Sequence, residues 1–133
     1  MKGNLRWFVV GLIALAAIIN YIDRGALGIL WPEIKAEFGF SNQDYANIFT
    51  VFVLAYAFGQ TIFGKLFDWL GTRIGFVLSI GVWSIATALH ALGGSAMSFA
   101  IFRGILGVAE AGNWPGAAKA NAEWFPTKER AFA

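Results

Sequence analysis

Cysteine is absent from the 133 residues, which excludes disulfides and thiolate metal sites. Charge is scarce as well: Asp, Glu, Lys and Arg make up 14% of the chain, against about 25% in soluble domains. No phosphate-binding glycine loop, metal-ligand spacing or nucleophile triad is present, so no catalytic residue, metal or cofactor is expected. The pI of about 9.2 does not point to nucleic acid, because the net charge is only +2 and the basic residues are scattered among apolar runs. What the chain has instead is apolar surface: 58% of it is hydrophobic, with a mean hydropathy of +0.62. A water-soluble core of this size could not hide so much. The bilayer is the expected solvent, and the sixteen glycines suit helices that approach closely in lipid.

Four apolar stretches predict an all-α integral membrane chain, with helices at Trp7–Trp31, Tyr45–Phe67, Ile74–Gly93 and Met97–Ala118. Each is long enough for a span of roughly 20 residues. Lys2 and Arg6 ahead of Trp7–Ile19 resemble the start of a signal peptide, but no small-residue cleavage site follows and the helical pattern continues past Arg24, so the first helix is read as retained. Lys2, Arg6, Lys65, Arg73, Lys119, Lys128 and Arg130 fall on one side of these helices and Lys35 alone on the other. The positive-inside rule then puts both ends in the cytoplasm. The segment from Phe125 to Arg130 reads as a linker into a further helix, so residues 1–133 are expected to be a partial N-terminal bundle. A complete four-helix protein is the alternative.

Asp23 and Arg24 lie well inside the first stretch, and Arg103 and Glu110 inside the fourth. An ionised side chain near the bilayer centre costs about 2.5–3.5 kcal/mol even on lenient scales, so these four residues are expected to face the bundle interior and to work. Arginine presents a planar fork matched to a carboxylate. Protonation of Asp23 and Glu110 would then depend on whether an anion occupies the arginine, a physical route to coupling protons with an organic anion. Two structural ion pairs stitching the helices together are the plainer reading, though buried pairs are a poor source of stability. Arg103 and Glu110 share a helical face about 10 Å apart, with Asn113 and Trp114 one turn on. Phe49, Phe52, Tyr56 and Gln60 form a stripe at helical spacing, whose Tyr56 and Gln60 are candidates to hydrogen-bond substrate hydroxyls. Tyr21 lies one turn before Arg24. His90 reads as an interfacial histidine.

An internal echo adds to this. Arg24-Gly25-Ala26-Leu27-Gly28-Ile29 resembles Arg103-Gly104-Ile105-Leu106-Gly107-Val108, on helices expected to run in opposite directions. Inverted three-helix repeats pair the first and fourth helices in this way, with a site between them near the midplane.

The stretch Gly64-Lys65-Leu66-Phe67-Asp68-Trp69-Leu70-Gly71-Thr72-Arg73 resembles the loop motif between helices 2 and 3 of the major facilitator superfamily, with Gly64, Asp68, Gly71 and Arg73 matching. Trp69 and Thr72 stand where basic residues are usual. Asn20-Tyr21-Ile22-Asp23-Arg24, Ala55-Tyr56 with Gln60, and Arg103 with Glu110 are similar to its anion:cation symporter family. The run Ala109–Gly116 and the stretch ending in Lys128-Glu129-Arg130 look most like bacterial hexuronate transporters. The resemblance implies the first four of twelve helices in a bacterial inner membrane, N-terminus cytoplasmic, with the remaining helices and the lipid bilayer as partners. It implies proton-coupled symport of a small organic anion, a hexuronate or else an aldonate, aldarate or other carboxylate. It assigns substrate contacts to Arg24, Tyr21 and Tyr56, proton carriage to Asp23 and Glu110, modulation of Glu110 or attraction of the anion to Arg103, and a conformational gate to Asp68 and Arg73. A membrane fragment or assembly subunit without transport is the rival from a different class.

Overall fold

The structure is a computed structural model that describes residues 2–132; the side chain of Lys2, one of the basic flanking residues, lies outside the described part. The elements are α1 (Lys2–Phe38), α2 (Asn42–Leu89), a 3₁₀ turn at His90–Leu92, α3 (Ala96–Glu110) and α4 (Asn113–Trp124). Among the described residues there is no strand.

α1 runs past Trp31, the expected end of the first helix, to Phe38. Pro32 lies inside the helix, and Trp31 packs beside it on Tyr45 and Phe40, with ring centroids 4.9 and 6.0 Å away. The helix ends at Gly39, whose φ of 68° turns the chain while its N–H caps the Lys35 carbonyl at 3.0 Å. That left-handed terminus is the usual glycine ending.

α2 starts with a reciprocal cap: Asp44 N–H donates to Ser41 Oγ, and Ser41 N–H donates to the Asp44 carboxylate. Unbroken, its 48 residues would reach about 72 Å, over twice the bilayer core. It breaks at Gly71, with φ 79° and ψ 169°, a conformation essentially reserved for glycine. The two arms fold back antiparallel. Phe67 meets Phe76 at 5.2 Å, Phe63 and Ser79 both flank Gly112, and Phe52, Trp83 and Ala86 share one core cluster.

The stretch expected as one helix over Met97–Ala118 is in two pieces, α3 and α4, divided at Ala111–Gly112. Pro115 supplies the cause. It has no N–H for the Ala111 carbonyl four residues back, and its ring crowds that carbonyl. Ser95 and Ser98 cap the start of α3 reciprocally.

α3 packs tightly on α2, and glycines set the distance. A Cβ at Gly59 would lie 2.7 Å from Val108 Cα, and one at Gly107 would lie 2.6 Å from the Phe52 carbonyl, so the backbones themselves are in contact. α1 is different. Phe8, Ile22 and Ile29 are 62%, 63% and 79% exposed, and an outward apolar face of this extent suits lipid or other helices. Gly3–Phe38 and Asn42–Leu92 are each long and apolar enough to cross a membrane, with 18-residue stretches of mean hydropathy 2.0 and 1.7.

Candidate functional site

The expected charges converge where the middle of α1 meets the C-terminal end of α3. Arg24 Nε lies 3.5 Å from Glu110 Oε2, and the Glu110 side chain is fully buried. Arg24 Nη2 donates to Asn20 Oδ1 at 3.1 Å, one helical turn back. Asn20 in turn donates from Nδ2 to the Glu110 backbone carbonyl at 3.4 Å. That carbonyl ends α3 at the break made by Pro115, which leaves it free to accept a side chain. Three rings surround the guanidinium, with centroids at 4.5 Å for Tyr56, 5.3 Å for Tyr21 and 5.5 Å for Phe52. Cation–π contact of this kind holds the arginine while leaving donors free.

Arg103 does not reach Glu110. Seven residues of helix put the two about 10 Å apart, beyond ion-pair distance, and the carboxylate's arginine is Arg24. Arg103 is 5% exposed. It donates from Nη1 to the Asp23 backbone carbonyl at 3.4 Å and sits 5.8 Å from the Phe52 ring. Arg24 and Arg103, the leading residues of the two echoed segments, thus line one narrow cleft with Leu27, Tyr45, Phe49 and Phe52. The Asp23 side chain is half-buried and makes no ion pair among the described residues.

Several buried polar atoms here lack a hydrogen-bond partner among the described residues: both Glu110 carboxylate oxygens, Arg24 Nε, Arg103 Nε and Asn113 Oδ1. Each such atom costs about 1–3 kcal/mol, and five of the eight among the described residues lie in this cluster, the others being Arg6 Nε, Trp31 Nε1 and His90 Nε2; such a concentration marks a candidate site. Asn113 is 2% exposed and lines a groove of about 200 Å³ with Trp114 and the α1 residues Val10, Ile13, Ala14 and Ala17. Gln60 is exposed, and no contact joins it to the cluster among the described residues. His90 Nδ1 lies 2.7 Å from the Ala86 carbonyl, and the ring packs on Phe99 and Phe102. Among the described residues no group of three or more His, Asp and Glu side chains could hold a metal ion.

The profile of the Major Facilitator Superfamily matches residues 13–133. The chain belongs to the major facilitator superfamily. It is 36% identical over its whole length to a hexuronate transporter of Escherichia coli (strain K12), covering 31% of that protein. It is 35% identical, again over its whole length, to a galacturonate transporter of Dickeya chrysanthemi, covering 38% of it. A probable galactarate/D-glucarate transporter of Bacillus subtilis (strain 168) is 35% identical over 99% of the chain, which covers 30% of that relative. The chain spans about a third of the length of these curated relatives. These relatives are named as transporters, not enzymes, and the superfamily fold is that of an integral membrane protein.

The superfamily's loop motif forms the bend of α2. Gly71 is its pivot, and Gly64 meets no close neighbour. Asp68 pairs with Lys119 at 3.0 Å, and the same ammonium donates to the Phe67 carbonyl at 2.7 Å. Thr72 donates to Glu123 at 2.8 Å. Arg73 is exposed. In the sequence Asn20 belongs to a motif and Lys119 is a flanking charge, but neither has an expected place in these networks. Asn20 signals itself by standing one turn before an arginine in an apolar run. Lys119, 51 residues from Asp68, carries no local signal.

Proposed function

We propose that this chain is the first part of a twelve-helix secondary transporter, with its N-terminus in the cytoplasm of a bacterial cell and its four spans formed by α1, the two arms of α2, and α3 with α4. The transporter carries a hexuronate together with protons by alternating access. The observation that carries this reading is the Arg24–Glu110 contact, loose at 3.5 Å, buried on the glutamate side and ringed by Tyr21, Phe52 and Tyr56.

In this mechanism the carboxylate of the sugar acid takes the Arg24 fork, because two oxygens in a plane match two N–H groups. Glu110 then loses the cation that balances it, and a proton takes over that balance. Binding of anion and proton become one event. Asp23 is the second carboxylate available to the proton. Arg103, tied to the Asp23 carbonyl, adds positive charge to the cleft and draws the anion in. Tyr21 and Tyr56 offer hydroxyls to the sugar, with Gln60 and Asn113 further along the path. Asp68 and Arg73, beside the pivot at Gly71, belong to the gate that opens and closes the cytoplasmic side.

Proteoliposome uptake by the full-length protein tests this. Arg24→Ala and Asp23→Asn should each abolish proton-driven accumulation of galacturonate and glucuronate; if both variants keep it, these roles are wrong. A galactarate, glucarate or other carboxylate cargo is the second reading, favoured by the near-equal identity to the probable galactarate/D-glucarate transporter. Thermal shifts of the full-length protein across a panel of sugar acids separate the two.

A further inference from the structure

We propose that Asn20 is a positioning residue for anion binding, one that holds Arg24 back from Glu110 and keeps part of its fork free for the incoming carboxylate. The inference rests on the transport reading above and adds a residue to it.

Asn20 is 1% exposed and polar on both sides of its amide. Its oxygen accepts from Arg24 Nη2 at 3.1 Å, while its nitrogen donates to the Glu110 backbone carbonyl at 3.4 Å. One side chain therefore fixes both the arginine and the helix end that carries the glutamate. With Nη2 engaged by Asn20, Arg24 meets Glu110 through Nε alone, at 3.5 Å and without a hydrogen bond. A guanidinium left to itself beside a carboxylate closes into a two-point, short contact. The amide prevents that closure. Nη1 has no protein partner among the described contacts, and the aromatic rings keep the guanidinium plane in place. Asparagine suits the task because it is uncharged. It satisfies one donor of the arginine without neutralising the positive charge the anion needs.

Without the amide, Arg24 collapses onto Glu110, and a substrate carboxylate must break a tight pair rather than a loose one. An aspartate at this position has the same shape and still accepts from Nη2. Ionised, it cancels the arginine's charge; protonated, it restores an acceptor and a donor much like those of the amide.

The test uses the full-length protein in detergent. Binding of galacturonate, glucuronate, galactarate and galactonate is measured for the wild type and for Asn20→Ala, Asn20→Asp and Arg24→Ala, with melting temperature as the check on folding. Asn20→Ala should weaken binding of the preferred acid roughly tenfold, the size expected for losing a hydrogen bond to a charged group. In proteoliposomes the loss should fall on KM and leave the maximal exchange rate near that of the wild type. Asn20→Asp should be weaker still near pH 7.5 and should return towards the affinity of the wild type at the same pH as the pH falls to about 4, the range in which an aspartate carboxyl takes up its proton. A role in packing alone gives no such return, since the shape of the side chain does not change. If Arg24→Ala abolishes binding while Asn20→Ala and Asn20→Asp bind as the wild type does at both pH values, the role of Asn20 is wrong and the transport reading stands. If the wild type binds none of the four acids, or Arg24→Ala binds as well as the wild type, both fall together.

Discussion

Opposite charges meet in two places, and they meet differently. At the Arg6 end the pairs are short and open to solvent. Arg6 reaches Glu129 at 2.7 Å and Lys119 reaches Asp68 at 3.0 Å, with every partner at least a quarter exposed. Near the middle of α1 the pair is longer, at 3.5 Å, and its carboxylate is fully buried. The end pairs also carry helpers. Arg6 stacks over Phe125 at 5.2 Å, Trp7 meets the same ring edge-on, and Arg130 closes onto the Phe125 and Ala122 carbonyls. The end pairs are short and leave Arg6 Nε as their one unpartnered buried atom among the described residues, whereas the central pair leaves Arg24 Nε and both carboxylate oxygens without a hydrogen bond. The end network tethers α1 to the segment after α4; in the proposed mechanism the central pair is the one that exchanges partners.

Four outcomes would sharpen or break that contrast. The largest effect should come from Arg24→Ala in the full-length protein. It strands a buried carboxylate, which costs the fold about 3–5 kcal/mol, and separately it removes the charged fork the anion binds, which should lower affinity roughly 100-fold. Arg24→Lys should recover little of it, because an ammonium lacks the planar fork. Next, Pro115→Ala should let α3 and α4 join. The melting temperature rises, since an interior proline costs a helix about 3 kcal/mol, while transport falls as the Glu110 carbonyl turns away from Asn20. A variant that is more stable and equally active would disconnect the helix break from the site. Asp68→Ala should lower stability by less than about 1 kcal/mol, the ordinary worth of an exposed pair, read from the melting temperature. Arg6→Ala should do least. Its ion-pair contribution should fade in high salt, leaving only the lost contact with Phe125.

The sequence announced the central charges because an ionised group in an apolar run is expensive wherever it sits. It did not disclose their partners. Pairing depends on the height and rotation of one helix against another, and Arg103 and Glu110, which share a face, turn out too far apart along it. The bend of α2 was readable because Gly71 lies in a recognisable turn between two apolar runs. The division of the fourth stretch was also written in Pro115, but an apolar stretch of regular period reads as continuous. The first helix was expected to end at Trp31, but α1 continues through Pro32 to Phe38, with Trp31 packed on Phe40 and Tyr45. Asp68 was legible from its motif, whereas Lys119 depends on a contact 51 residues away.

The central claim is that anion and proton trade places around the Arg24–Glu110 pair. Glu110→Gln tests it most directly, because glutamine keeps the shape and removes the proton site. Full-length protein in proteoliposomes would be assayed for galacturonate uptake driven by an imposed proton gradient, and separately for exchange of labelled against unlabelled galacturonate without one. The account predicts that Glu110→Gln exchanges galacturonate and no longer accumulates it against a gradient. Accumulation by Glu110→Gln at the wild-type level would contradict it.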